Sequence, residues 1–181
     1  MQPSLHTAHL TLRPYKLSDA RAVQQLAGAK EVADTTMTIP HPYPDGAAES
    51  WISGHAAAFE DRKEITFAIL LEESDELLGT ASLIDLSAKH ARAELGYWVG
   101  APHWGKGYCS EAVARLITYA RQELGVTRIV GRCFARNPAS ARVMLKVGLR
   151  EEGHLSRHIC KSGRYEDILL FGASYPDRGD A

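Results

Sequence analysis

The sequence predicts a mixed α/β (α+β) fold, in which a mostly antiparallel central sheet of about seven strands is flanked by about four helices. Two observations support this class. Segments that alternate with a period of two outnumber segments with helical spacing, and short turns join the middle strands. The 181 residues suffice for one domain with a sizeable core, which we expect at 1–175, with a loose C-terminal tail at 176–181.

The first half of the chain predicts four strands and two helices. Apolar and polar residues alternate in a first strand that ends near Arg13, and Ser18 is the expected N-cap of the helix that follows. Three prolines and a glycine within residues 39–46 predict a loop, and the helical spacing over 48–59 predicts a second helix. Further strands are predicted over 65–71, 77–86 and 92–99.

The second half predicts two more helices and three more strands. Apolar residues over 108–124 form one stripe of a long helix, which Gly125 ends. Asn137 is the expected N-cap of a short helix that has Pro138 at its first position and Gly148 at its end. Strands are predicted over 127–134, 150–160 and 164–173, and the last two form a hairpin around Ser162-Gly163.

Composition narrows the classes of function. The formal net charge is −1 with acids and bases interleaved, so neither nucleic acid nor an anionic membrane is an expected partner. No apolar run approaches the length of a membrane span, and the first residues lack a signal-peptide pattern. Three cysteines without C-x-x-C spacing suit reduced thiols in the cytoplasm. The eight histidines are scattered, so no metal site is expected.

Residues 97–112 are the most informative segment, because the turn Gly105-Lys106-Gly107 leads from a predicted strand into a predicted helix. Backbone N–H groups at such a helix start suit a phosphate or pyrophosphate. A P-loop requires Ser or Thr directly after Lys106, and a dinucleotide motif requires a third glycine where Ser110 stands and an acid after the next strand. Neither pattern is complete. A tight turn that binds no ligand is the other alternative.

Four segments in this order resemble the GNAT superfamily of acyl-CoA N-acyltransferases, and within it the branch of the ribosomal-protein acetyltransferases RimJ and RimL. They read L-T-L-R-P at 10–14, E-L-G-Y-W at 94–98, W-G-K-G-Y-C-S-E-A at 104–112 and N-P-A-S-A-R-V-M-L-K-V-G-L at 137–149. The tail segment G-R-Y-E-D at 163–167 also fits this branch. The resemblance implies the acyl-CoA N-acyltransferase fold and transfer of an acetyl group from acetyl-CoA to a primary amine.

The resemblance also implies which residues hold acetyl-CoA. Loop amides from Lys106 to Ser110 would bind the pyrophosphate, and the Asn137 side chain would contact the pantetheine arm besides capping its helix. Trp104 and Cys109 depart from the family's loop pattern, but the donors in that pattern are main-chain groups. The expected cofactor-binding residues are Trp98, Val99, Trp104, Gly105, Lys106, Gly107, Tyr108, Cys109, Ser110, Asn137 and Ser140.

Glu94 and Ser140 are the candidate catalytic residues. In this branch the acid at Glu94 is a candidate general base, acting directly or through water, and a structural ion pair with a neighbouring arginine is the alternative. Many members place a tyrosine acid where this chain has Met144, so Ser140 becomes the candidate proton donor to the thiolate. A main-chain N–H near Trp98 or Val99 would stabilise the oxyanion. The family transfers the acyl group directly, so no cysteine nucleophile is expected.

The acceptor side carries the weakest sequence pattern. His41, Tyr43 and Trp51 lie on the loop and helix that border the acceptor cleft in this family, and Tyr165 lies on the last hairpin. A core role for Trp51 and a plain strand position for Tyr165 remain open. A protein N-terminus is the favoured acceptor, and a small amine (amino acid, polyamine or antibiotic) is the alternative. A CoA-binding module without catalysis is a third hypothesis, and a homodimer is common in this superfamily.

Overall fold

One mixed sheet runs through the part of the chain that the structure describes, a computed structural model of residues 1–176. The strands are β1 (Leu5–His6), β2 (Leu10–Arg13), β3 (Ile65–Leu71), β4 (Leu77–Ser87), β5 (Arg92–Val99), β6 (Arg128–Phe134), β7 (Arg150–Lys161) and β8 (Arg164–Ser174). The order of the strands in the sheet is β1-β2-β3-β4-β5-β6-β8-β7, and β5–β6 is the parallel pair. The α-helices are α1 (Ala20–Ala27), α2 (Lys30–Thr35), α3 (Ala47–Ser53), α4 (His55–Glu60), α5 (Tyr108–Gln122) and α6 (Pro138–Lys146).

The predicted fold class is confirmed, with local corrections. The sheet has eight strands, and neither β1 nor α2 is predicted from the sequence, because two residues in a strand and six in a helix do not complete two periods of their patterns. The predicted helix over 48–59 breaks at Gly54 into α3 and α4. Ser18 lies inside a 3-10 turn and is not a cap, because the Asp19 carboxylate accepts the Lys16 N–H at 2.8 Å instead. Except for Pro176, the predicted tail 176–181 lies outside the described residues.

The parallel pair β5–β6 is short, and this shapes the centre of the sheet. Its pairing runs from Arg92 opposite Arg128 to Leu95 opposite Gly131 and then stops. β6 continues alongside β8 as far as Phe134, while β5 continues alongside β4 as far as Val99. The two strands therefore diverge beyond Leu95, and we call the space between them the β5–β6 gap.

Each face of the sheet has its own apolar layer. α5 and α6 cover one face, where the buried core includes Phe67, Leu116 and Met144. α1 and α3 cover the other face in a smaller cluster with Val23 and Ile52. The gap between β5 and β6 thus lies between two helical layers. Among residues 1–176, no helix is long and apolar enough to cross a membrane.

Asn137 joins two helices that border the gap. Its side-chain oxygen accepts the Ser140 N–H at 3.1 Å, which is the N-cap bond predicted from the sequence. Its side-chain nitrogen donates to the Thr35 carbonyl at the end of α2, at 3.3 Å. One side chain therefore starts α6 and ties it to α2.

We expect Asn137→Ala to lower the free energy of unfolding by about 1 kcal/mol, because the α6 cap is lost. Asn137→Ser should recover most of this loss, since serine caps helices well although it is too short to reach Thr35 as well. Urea denaturation of the three proteins measures the difference. Equal midpoints for Asn137→Ala and the wild type would contradict the capping role.

His55 packs against aromatic rings at the smaller apolar cluster beneath α1 and α3, and it has no polar partner there. Its ring packs against Trp51 with centroids 4.4 Å apart and against Tyr15 at 5.5 Å. Both ring nitrogens are buried and make no hydrogen bond. Burial lowers the pKa of His55 below its usual value, and the nearby Glu64 carboxylate opposes this effect only in part. The folded protein therefore disfavours the charged ring.

Because the pKa of His55 is lower when folded than when unfolded, the unfolded chain binds more protons as the pH falls through about 6.5. His55 therefore makes folding less favourable at acid pH. In thermal melts, we expect the Tm of His55→Phe to fall less between pH 8 and pH 5 than the Tm of the wild type. His90→Phe, at an exposed histidine, is the control and should follow the wild type. Parallel losses in all three proteins would contradict this assignment.

Candidate functional site

Two cavities open on opposite faces of the sheet and meet at the β5–β6 gap. The α5 cavity, of about 450 Å³, lies between the loop before α5 and helix α6. The β4 cavity, of about 480 Å³, lies over β4 and β5 beneath α1 and α3. The residues that line both are Thr35, Thr36, Tyr97, Trp98 and Ser140. A molecule held in one cavity can therefore meet a molecule held in the other at these side chains.

The loop before α5 forms an open cradle of main-chain donors. Gly105 and Gly107 have φ of 76° and 87°, a left-handed conformation that favours glycine, and a Cβ at either would meet no atom within 4 Å. No side chain caps the first turn of α5, so its N–H groups have no partner there. The helix dipole favours an anion at this end by about 0.3–1 kcal/mol. The cradle suits the pyrophosphate of acetyl-CoA.

Most of the predicted cofactor-binding residues line the α5 cavity. They are Trp98, Val99, Trp104, Gly105, Gly107, Tyr108, Cys109, Ser110, Asn137 and Ser140. Lys106 does not line it, but Arg142 and Lys146 on α6 do. Sequence reasoning missed these two cations, although their spacing of four residues places them on one face of a helix that starts at Asn137. They add positive charge to the cavity that holds the cradle.

The indole of Trp104 and the end of β5 shape the wall of the gap. Trp104 Nε1 donates to the Val99 carbonyl at 2.6 Å. The Gly100 N–H donates to the Leu78 carbonyl on β4 at 2.8 Å. Successive N–H groups of a strand point to opposite sides, so the Val99 N–H points away from β4 and toward the gap, whereas the Trp98 N–H points back to β4. Of the two expected oxyanion donors, Val99 has the required direction.

Tyr97 and Ser140 form a hydrogen-bonded pair inside the gap. The Tyr97 hydroxyl lies 2.9 Å from Ser140 Oγ and donates to the Ser140 carbonyl at 3.1 Å. Burial raises the pKa of Tyr97 well above its usual range, against a smaller opposing effect of the bond to Ser140. The phenol therefore remains protonated at neutral pH. Sequence reasoning missed Tyr97, although the period of two places it on the face opposite Glu94, toward α6.

Met144 and two cysteines are chemically inert in this arrangement. Met144 is fully buried, and a Cβ added at Gly131 would lie only 2.7 Å from its Sδ. Its position therefore serves the packing of α6 on β6. Burial raises the pKa of Cys109 to about 12 and that of Cys133 to about 11. Both thiols are protonated at neutral pH and are poor nucleophiles.

Glu94 lines the β4 cavity as one partner of an ion pair. Arg132 Nε, on the neighbouring strand β6, lies 2.8 Å from its carboxylate. The Glu94 side chain is 14% exposed and that of Arg132 is 37% exposed. The ion pair with an arginine, one of the two sequence interpretations, is thus present, and Glu94 still faces the cavity.

The four predicted acceptor-side residues separate into two groups. Tyr43 and Trp51 line the β4 cavity. His41 and Tyr165 line neither cavity. The His41 ring nitrogen Nδ1 lies 3.0 Å from the Gly28 carbonyl, and the exposed Tyr165 ring stacks on the Arg157 guanidinium at 4.4 Å. Within residues 1–176, no three His, Cys, Asp or Glu side chains are grouped as metal ligands.

Comparisons with known proteins agree with this geometry. A protein-family model described as an acetyltransferase (GNAT) domain matches residues 9–150. The uncharacterized N-acetyltransferase YoaA of Bacillus subtilis (strain 168) is 31% identical over 176 residues, which cover 97% of this chain and 99% of YoaA. The ribosomal-protein-serine acetyltransferase of Escherichia coli (strain K12) is 32% identical over 102 residues, covering 56% of this chain and 57% of that protein.

Solved structures share the fold over nearly the whole chain. RimL, a ribosomal L7/L12 α-N-protein acetyltransferase in complex with coenzyme A, superposes with a TM-score of 0.87 at 20% identity, covering 96% of this chain and 98% of RimL. Spermidine N-acetyltransferase from Vibrio cholerae, in complex with CoA and spermine, gives 0.80 at 23% identity, covering 93% and 96%. The chain therefore belongs to the GNAT acetyltransferase family and is an acetyl-CoA-dependent N-acetyltransferase.

Proposed function

We propose that the acceptor is the α-amine of a protein N-terminus, as in the ribosomal-protein acetyltransferases. The ion pair between Glu94 and Arg132 is the observation that carries this choice. At pH 7, deprotonating an α-amine costs only about 1–1.4 kcal/mol, whereas a lysine amine costs about 4.6 kcal/mol. The Glu94 carboxylate is already engaged by Arg132, so an acceptor that loses its proton at little cost suits this site best.

We assign the α5 cavity to acetyl-CoA and the β4 cavity to the acceptor. Main-chain N–H groups of residues 106–110, together with Arg142 and Lys146, hold the pyrophosphate side. Acetyl-CoA supplies a thioester, which the neutral amine attacks directly. The Val99 N–H stabilises the oxyanion of the tetrahedral intermediate. When the C–S bond breaks, the Ser140 hydroxyl gives its proton to the CoA thiolate and takes up the proton that the amine nitrogen loses. For this step the Tyr97 hydroxyl, which lies within reach of both the Ser140 carbonyl and Ser140 Oγ, donates to Oγ, so that the Ser140 proton is free.

A small cationic amine is the second candidate. The β4 cavity contains two carboxylates, Glu64 and Glu94, which attract positive charge. The solved spermidine N-acetyltransferase shares the fold. The two candidates differ in the amine that they present, so a direct comparison of acceptors separates them.

Turnover with matched acceptors tests the proposal. We expect a hexapeptide with a free N-terminal serine to release CoA from acetyl-CoA with a kcat/KM at least about tenfold above two competitors. One competitor is the same peptide with a blocked N-terminus and one internal lysine, and the other is spermidine. The expected gap follows from the cost of deprotonating a lysine-type amine. Preference for either competitor would overturn the N-terminal assignment, and binding of acetyl-CoA without turnover of any amine would favour a non-catalytic module.

The role of Tyr97 has its own test. Tyr97→Phe removes the hydroxyl that holds Ser140 Oγ and keeps the ring, so we expect kcat to fall by about 10–100-fold. Affinity for acetyl-CoA, measured by calorimetry, should stay within about twofold, because the main-chain cradle is unchanged. Tyr119→Phe is the control, because this ring is buried against Phe67 and lines neither cavity. A kcat for Tyr97→Phe equal to that of the control would remove Tyr97 from the mechanism.

A further inference from the structure

A chain of three hydrogen-bonded side chains runs under the β4 cavity, apart from Glu94 and Ser140. The Thr66 hydroxyl on β3 donates to Glu64 Oε1 at 2.6 Å. The same Thr66 oxygen lies 2.8 Å from Ser82 Oγ on β4. Thr66 is 2% exposed and Ser82 is 5% exposed, so both hydroxyls are nearly removed from solvent. Glu64 and Ser82 both line the cavity.

The hydrogen bonds of this chain can point in only one direction. An ionised carboxylate only accepts, and each hydroxyl has a single proton to donate. Because Thr66 gives its proton to Glu64, the bond between Thr66 and Ser82 must use the Ser82 proton. Ser82 Oγ then has no proton left to donate. It presents only lone pairs to the cavity, so it can bind a group that brings an N–H or O–H.

The register of the sheet places this oxygen beside the gap. Ser82 pairs with Gly96 on β5, one step along the same face from Glu94 and one step from Trp98. Gly96 has no side chain to cover its neighbour, and a Cβ there would lie 3.7 Å from Ser82 Cβ. Ser82, although largely buried, therefore lines the cavity at the level between the Glu94 carboxylate and Trp98, which also lines the α5 cavity.

We propose that Ser82 Oγ is a binding subsite for the amine of the acceptor, with its direction fixed by Thr66 and Glu64. The subsite accepts N–H donors, namely primary amines and ammonium groups, and offers nothing to a carboxylate. The inference rests on the assignment of the β4 cavity to the acceptor. It holds for an α-amine and for a small amine alike, because both bring N–H groups to the same place.

Kinetics of two acceptors with matched variants test this subsite. Ser82→Ala removes the accepting oxygen, and we expect the KM of the serine-initiated hexapeptide, and that of spermidine, to rise about tenfold. The acetyl-CoA dissociation constant, measured by calorimetry, should remain within about twofold. Ser87→Ala is the control, because it removes a hydroxyl from the far end of the same strand and lines neither cavity.

Thr66→Val tests the direction of the chain, because it leaves Ser82 in place but frees the Ser82 proton to point into the cavity. We expect the acceptor KM to rise in this variant too, while Ser82 itself is intact. Glu64→Met is the second variant of the chain, should Thr66→Val fold poorly, because Glu64 is partly exposed and the change removes the oxygen that accepts the Thr66 proton while keeping a similar size. Thermal melts and acetyl-CoA binding verify the fold of each variant.

The outcomes separate the inference from the proposed function. If the wild type turns over spermidine and not the peptide, the N-terminal acceptor is overturned. The spermidine KM of Ser82→Ala, compared with that of the wild type, then decides on the subsite. If the wild type turns over either acceptor, and the acceptor KM of Ser82→Ala and of a chain variant lies within twofold of the wild-type value, the subsite alone is overturned. No turnover of either acceptor overturns both.

Discussion

The end of the parallel pairing between β5 and β6 is the constraint on which the site depends. Hydrogen bonding stops at Leu95 and Gly131, while each strand continues along its other neighbour. The sheet is thus opened in its middle without losing its edges. Because helices cover both faces, the opening lies between the two cavities. Much of the rate enhancement in such a site comes from holding two reactants in contact.

The two cavities carry opposite electrostatic character. On the α5 side, uncapped N–H groups, Arg142 and Lys146 favour an anion, as the phosphates of acetyl-CoA require. On the β4 side, Glu64 and Glu94 favour a cation, with Arg132 moderating the charge of Glu94. On the assignment that we propose, this charge pattern sorts an anionic donor and a cationic acceptor to opposite faces before they meet at Tyr97 and Ser140. The neutral hydroxyls at the meeting point have little effect on either long-range attraction.

The sequence predicts correctly those elements whose patterns lie within one short segment of the chain. The bounds of β5 follow from a period of two, and the Asn137 cap follows from the order of Asn and Pro. The Tyr97–Ser140 pair joins residues 43 positions apart, which only the packing of α6 on the sheet brings together. Thr66 and Ser82 are 16 positions apart and meet through the register of β3 and β4. The expectation for His41 rests on family position and that for Tyr165 on alternation along the last hairpin, and neither signal specifies where the side chain points.

A crystal structure of the protein with bound CoA tests the central claim most directly. The account predicts that the pantetheine arm lies along the unpaired edge of β5 beyond Leu95, with its sulfur within hydrogen-bond distance of Ser140 Oγ. The pyrophosphate should contact the main-chain N–H groups of residues 106–110. A pantetheine arm that stays outside the β5–β6 gap, or a sulfur remote from Ser140, would contradict the view that this gap is where donor and acceptor meet.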